Sequence, residues 1–286
     1  MNSSLEDTKY ILKKYNISAN KGLGQNFLID DEVINNIIEA SKVSKNDLII
    51  EIGPGLGTLT SKLLEKAGRV IAIEIDEKMI KILKDRFMLY DNFVLLNEDI
   101  LKVDLNDTIL NNCQDLKKVK IVANLPYYIT TPIIMKLLEN KLNIDSITVM
   151  VQKEVADRIT ATPGDKLAGA ITYSINYYAK AEKIIFVDKK SFIPVPEVDS
   201  EVIKLEIREE PVVEVTNEDL FFKIIKASFM QRRKTLVNGL LNAGIVQNKE
   251  QIHNILEKLN LDFNIRGEKL TIEQFANLSN LICEGL

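Results

Sequence analysis

Between Asp47 and Ile207 the chain repeats a pattern that few folds accommodate: short, almost continuously apolar runs rich in β-branched residues alternate with segments carrying apolar residues at helical spacing. The runs are Leu48–Ile52, Val70–Ile75, Phe93–Leu96, Lys120–Ala123 and Ile147–Val151, and the spacers include Thr60–Lys66 and Glu77–Phe87. A strand with one wet face alternates apolar and polar residues. A strand without that alternation is covered on both faces, as parallel strands are in an open α/β sheet whose crossovers are helices. Two further runs, Lys183–Val187 and Val198–Ile207, flank a proline-rich connection, and the second alternates as a hairpin or edge strand does. The pattern predicts an α/β fold with a Rossmann-like sheet of about seven strands. After Arg208-Glu209-Glu210-Pro211 the strand signal stops, and Leu220–Met230, Gln251–Leu259 and Ile272–Ile282 read as amphipathic helices. A boundary near residue 209 follows, with a sheet domain over 1–209 and a smaller all-helical domain over 210–286. At 286 residues and 46% apolar side chains, the chain is large enough to bury a core in each.

Several function classes drop out at once. No apolar run approaches the roughly 18 to 20 residues that span a bilayer, and Met1–Tyr10 lacks the apolar core of a signal peptide, so a cytoplasmic protein without a membrane partner is expected. Cys113 and Cys283 are far apart and His253 is the single histidine, too few soft ligands at workable spacing for zinc; no metal is expected. A hydrolase triad on His253 has no Gly-x-Ser-x-Gly nucleophile turn to accompany it.

The first strand runs into Glu51-Ile52-Gly53-Pro54-Gly55-Leu56-Gly57-Thr58 and then opens a helix. Glycines such as Gly53 and Gly55 let a backbone turn sharply and approach a ligand without a Cβ clash, although a glycine-rich turn by itself is also just a tight connection. Glu74 closes the second strand, where a carboxylate can accept from both hydroxyls of a ribose. The pocket suits an adenosine-bearing cofactor. A dinucleotide fingerprint has glycine at its sixth position, where this chain has Thr58, so NAD is the weaker choice. Gly-x-Gly-x-Gly preceded by an acid resembles instead the class I S-adenosylmethionine (SAM) methyltransferases. Asp99, after the third strand, reads either as a helix cap or as an acceptor for an adenine amine, with Ile100 packed on the ring.

The fourth strand is followed by Asn124-Leu125-Pro126-Tyr127. A turn and helix start explain Pro126 but not the Asn and Tyr beside it. Adenine N6 is a poor nucleophile because its lone pair is delocalised into the ring. Two acceptors, the Asn124 side-chain carbonyl and the Leu125 backbone carbonyl, would localise that pair and stabilise the charge that grows on nitrogen during methyl transfer. Tyr127 would stack on the base and hold it in line. A base in a helix must first be unstacked, which makes a second aromatic useful. Phe192 is ordinary core by default, but its place at the head of Phe192-Ile193-Pro194-Val195-Pro196-Glu197-Val198-Asp199-Ser200 favours a ring opposite Tyr127.

Taken together, these motifs resemble the KsgA-type small-subunit ribosomal RNA adenine dimethyltransferases over nearly the whole length. The resemblance also runs through Gly24-Gln25-Asn26-Phe27-Leu28, Gln152-Lys153-Glu154-Val155-Ala156-Asp157-Arg158 and Phe229-Met230-Gln231-Arg232-Arg233-Lys234-Thr235-Leu236. It implies that SAM is held by Asn26, Leu28, Gly53, Gly55, Glu74, Asp99, Ile100 and Asn124. It implies dimethylation of N6 on two adjacent adenosines in a hairpin loop near the 3′ end of 16S rRNA, in the small ribosomal subunit or its precursor. A role in subunit biogenesis goes with that substrate. The closest alternative is an Erm-type methyltransferase of large-subunit rRNA, and another is a non-catalytic RNA-binding assembly factor on the same fold.

Net charge is −4, so RNA binding has to come from local patches. Residues 220–249 hold Lys223, Lys226, Arg232, Arg233, Lys234 and Lys249 without an acid, and residues 8–29 hold Lys9, Lys13, Lys14 and Lys21, again without an acid. Such stretches are solvated faces or phosphate-tracking ones, and Lys223, Arg232, Arg233 and Lys234 are the expected RNA contacts. Nothing in the sequence suggests an obligate assembly, and a monomer is expected.

Overall fold

The computed structural model describes residues 3–113, 116–231 and 234–285. Seven strands form one sheet: β1 (Asp47–Ile52), β2 (Arg69–Glu74), β3 (Phe93–Asn97), β4 (Lys118–Asn124), β5 (Ser146–Gln152), β6 (Ala179–Val187) and β7 (Ser200–Ile207), in the spatial order β3-β2-β1-β4-β5-β7-β6. The first five strands pair in parallel, with Ile50 opposite Ile71 on one side and Ile121 on the other. β7 runs antiparallel to β5.

Burial explains the sequence pattern. All six residues of β1 are buried, because helices cover both faces of the sheet centre. The crossovers include Thr58–Lys66, Glu77–Phe87, Leu105–Asn112 and Thr130–Glu139, and the second and third are capped by Asp76 and Asp104 accepting from backbone amides of the first turn. β7 departs from the edge half of the hairpin-or-edge expectation, while it does lie beside β6, the strand that precedes it in the sheet. It lies inside the sheet, and its buried polar residues Glu201 and Lys204 are paired: Lys204 Nζ lies 2.9 Å from the exposed Glu206 and Glu201 lies 3.7 Å from Lys183.

Chain order reverses between β1 and β4: β2 and β3 are laid down on one side, β4 and β5 on the other. Such a switch point opens a crevice at the carboxyl ends of the strands.

The chain divides into two compact units, residues 1–156 with 182–207, and residues 157–181 with 208–286. A single cut at 209 was expected; the helical unit also takes the segment 157–181. The reason is aromatic. On the helix Ala170–Tyr178, Tyr173 and Tyr177 are buried with Phe221 and Phe275, and the Tyr173 hydroxyl donates to the Leu270 carbonyl at 2.6 Å. Most of the rest of that core comes from helices Glu218–Met230, Leu236–Asn242, Lys249–Lys258 and Ile272–Cys283, with Ala168, Val246 and Leu270 added from the connections. Among the described residues no helix is long and apolar enough to cross a membrane.

Candidate active site

The crevice at the switch point is a cavity lined by residues 23–28, the ends of β1, β2 and β4, and the loops that follow them. The turn after β1 places Gly53, Gly55 and Gly57 at φ +66°, +56° and +84°, conformations that side-chain-bearing residues avoid. Gly57 has a packing reason as well: a Cβ there would stand 2.5 Å from the Phe87 ring. At Gly53 the nearest atom to a hypothetical Cβ is Pro126 Cδ, 3.9 Å away, so the backbone is open towards the cavity.

Glu74 sits at the end of β2 and is 6% exposed. Its Oε2 accepts from the Gly55 amide at 3.2 Å and its Oε1 from the Asp76 amide at 2.9 Å, which orients the carboxylate beneath the glycine turn. Burial pushes its pKa up, while those backbone amides, with that of Ile75, hold it down. Asp76 in turn accepts from Gln25 Nε2 at 2.8 Å, tying the N-terminal loop to β2.

Glu51 is buried more deeply, at 2% exposure, and burial pushes its carboxyl up to about 8. The neighbouring charge of Glu74 adds to that shift. Glu51 Oε2 and Thr60 Oγ1 are both buried and unpartnered. An unpaired buried oxygen costs free energy, and Glu51 is among the residues that line the cavity.

On the opposite wall, Asn26 Nδ2 donates to the Gly24 carbonyl at 3.2 Å, and the Asn26 carbonyl accepts from Asn124 Nδ2, also at 3.2 Å. With its amide nitrogen committed to Asn26, Asn124 presents Oδ1 without a partner among the described residues. The next residue, Leu125, donates its N–H to the Met150 carbonyl at 3.2 Å, and no hydrogen bond occupies its own carbonyl among the described residues. Two uncommitted oxygens thus belong to successive residues at the end of β4. The chain then turns through the 3-10 segment Tyr127–Ile129, closed by Pro126 accepting from the Ile129 amide and the Thr130 hydroxyl. Tyr127 is part-buried, and its hydroxyl lies 2.6 Å from Ser200 Oγ.

The structure therefore brings Asn26, Leu28, Gly53, Gly55, Glu74, Asp99, Ile100, Asn124, Leu125, Pro126 and Tyr127 to one cavity. Asp99 uses Oδ1 to accept from the Leu101 amide at 2.9 Å, closing a local turn and not capping a helix, since the next helix is capped by Asp104, and it lines the cavity at the same time. Phe192 departs from expectation. It is 1% exposed, pairs with Leu28 in a two-stranded ladder, and belongs to the apolar core instead of the cavity lining. The ladder points its ring inward because Phe192 and Leu28 both serve the core under the N-terminal loop. Lys223 and Lys234 are exposed in the helical unit, whereas Arg232 and Arg233 lie outside the described residues. Sequence reading assigned no site role to Glu51, Gln25 or Tyr128. Glu51 carried the one available signal, an acid in an otherwise apolar strand.

An adenosine-bearing methyl donor fits these residues. Each Glu74 oxygen has accepted one backbone N–H and retains acceptor capacity for a ribose hydroxyl, the glycine turn admits a backbone-close ligand, and Glu51 has an unpartnered carboxyl oxygen among the residues lining the same cavity.

The model of the family described as ribosomal RNA adenine dimethylase matches residues 16–284. The ribosomal RNA small subunit methyltransferase A of Clostridioides difficile is 49% identical over 280 residues, covering 98% of this chain and 96% of that protein. That of Bacillus pumilus is 48% identical over 281 residues, with the same two coverages. Among solved structures, a dimethyladenosine transferase from Plasmodium falciparum superposes with a TM-score of 0.74 at 30% identity, covering 88% of this chain and 95% of that one. The 23S rRNA methyltransferase ErmE shares the fold, with a TM-score of 0.68 at 24% identity over 90% of this chain and 100% of that one.

Proposed function

This chain belongs to the ribosomal RNA adenine dimethylase family, SAM-dependent enzymes that methylate adenine N6 in rRNA, and from that premise we propose that its substrate is the small ribosomal subunit or its precursor. There it dimethylates two adjacent adenosines in a hairpin loop near the 3′ end of 16S rRNA, acting as a cytoplasmic monomer. The relatives' names and the near-complete overlap with them support the choice of subunit.

The observation that carries the mechanism is the pair of uncommitted oxygens at Asn124 and Leu125. SAM, when bound, supplies a methyl group activated on a sulfonium centre. Asn124 Oδ1 and the Leu125 carbonyl accept from the target amino group, draw its lone pair out of conjugation and stabilise the positive charge developing on N6. Because both acceptors are neutral, an amine that already carries one methyl still fits by releasing one of the two bonds. Tyr127 supplies the stacking face for the base. Glu74, Asp99, Ile100 and the Gly53–Gly55 turn hold the adenosine end of the donor, while Asn26 and Leu28 close over it. Lys223, Arg232, Arg233 and Lys234 of the helical unit contact RNA phosphates.

The test offers labelled SAM in parallel to under-methylated small subunits, large subunits and naked rRNA. Label confined to the small-subunit RNA is expected. Label in large-subunit RNA alone, or in no RNA, overturns the assignment.

A further inference from the structure

The segment Phe192–Ser200 reaches the cavity wall through its last residue, not its first. Phe192 is core, but Ser200 Oγ meets the Tyr127 hydroxyl at 2.6 Å. Ser200 is fully buried and opens β7 opposite Gln152 of β5, so the sheet backbone fixes where its hydroxyl stands. The residue before it is held on both sides: the Asp199 carbonyl accepts from the Lys153 amide at 3.0 Å, and Asp199 Oδ1 accepts from the Lys189 amide at 3.1 Å. Tyr127, by contrast, stands in a three-residue 3-10 turn after β4, where backbone alone leaves the ring free to swing about χ1.

We propose that Ser200 is a positioning residue for methyl transfer: its hydroxyl anchors the far end of the Tyr127 ring, so that the long axis of the ring is fixed at both ends and its face is held where the target base arrives. The proposal rests on the reading of Tyr127 as the base-stacking ring. Burial raises the Tyr127 phenol above its ordinary value, which keeps it protonated as a neutral partner for the serine. Preorganisation of this kind acts on the reacting geometry, where small misplacements are costly, and not on donor binding.

The experiment compares Ser200→Ala, Tyr127→Phe and the double variant, which keep the ring and remove the tether from either side. Each single change is expected to lower kcat about three- to tenfold, the scale of one hydrogen bond, with the double variant no worse and SAM affinity unchanged. A hairpin carrying 2-aminopurine at the target position gives a second readout: stacking quenches its fluorescence in the wild type, and both single variants should quench less. Wild-type kcat in Ser200→Ala, multiplied losses in the double variant, or a loss confined to thermal midpoint or to SAM affinity overturns the proposal. Should Ser200→Ala fail to fold, Tyr127→Phe carries the test alone. Tyr127→Ala separates the two ideas: full activity there removes the stacking reading itself, whereas a large loss beside an unaffected Ser200→Ala removes only the tether.

Discussion

The two ends of β1 and β4 treat buried polar groups in opposite ways. At their start, Lys120 Nζ lies 2.7 Å from Asp47 Oδ2 and donates to the Lys42 carbonyl at 2.6 Å, while the Ser44 amide donates to Asp47 at 2.8 Å. Both charged side chains are buried and both are satisfied. At the far end, the buried Glu51 Oε2 has no partner among the described residues, and neither does Oδ1 of the half-buried Asn124. A fold that satisfies buried polar groups at one end and leaves them open at the other has set aside the open end for a ligand.

Four changes would break or sharpen that contrast. Lys120→Met strands the Asp47 carboxylate and should cost about 3–5 kcal/mol in a denaturant titration, much of it recovered when Asp47→Leu is added. Unchanged stability would mean the closed end contributes nothing. Asn124→Ala at the open end should do the reverse, cutting methyl transfer about 10²- to 10³-fold with little change in unfolding midpoint, and normal turnover would refute the acceptor role.

Glu51→Gln tests the cost of openness. Because the folded carboxyl titrates near 8 against an ordinary value of 4.5, the folded state holds a proton that the unfolded chain releases. Stability of the ligand-free protein therefore falls as pH rises from about 4.5 to about 8, by at most about 1.4 kcal/mol per pH unit. The glutamine variant should flatten most of that slope, leaving the smaller share of Glu74, whose shift has the same sign. Identical slopes in the two proteins would show that Glu51 is not the source. Least of all, Lys223→Gln should reduce the salt dependence of RNA affinity by about one unit of slope while SAM affinity holds, and an unchanged slope would take Lys223 out of the RNA contact set.

The parts of the fold legible in the sequence were those where one physical cause dominates. Double-sided burial wrote β1, β2, β4 and β5 as apolar runs, and the glycine turn wrote the cavity, since few other residues tolerate φ of +66° and +56° in succession with Pro54 between them. The helix Ala170–Tyr178 was opaque because its apolar surface is aromatic and shared with polar atoms: Tyr173 and Tyr178 are buried or half-buried with their hydroxyls bonded to Leu270 and Glu218. Nothing local says which core such a segment joins. The site was read from its residue types, and the misplacement of Phe192 has the same root: a motif names the residues that matter without saying which of them touches the ligand and which holds its neighbours in place.

Because the chain visits the helical unit twice, once between β5 and β6 and again after β7, no single scission yields two whole pieces. A fragment stopped at residue 207 would carry Tyr173 and Tyr177 stripped of Phe221 and Phe275, a greasy crossover prone to self-association. The complementary fragment from 208 would want one wall of its interior. Exchanging the whole unit would thus require rewriting a connection inside the sheet itself.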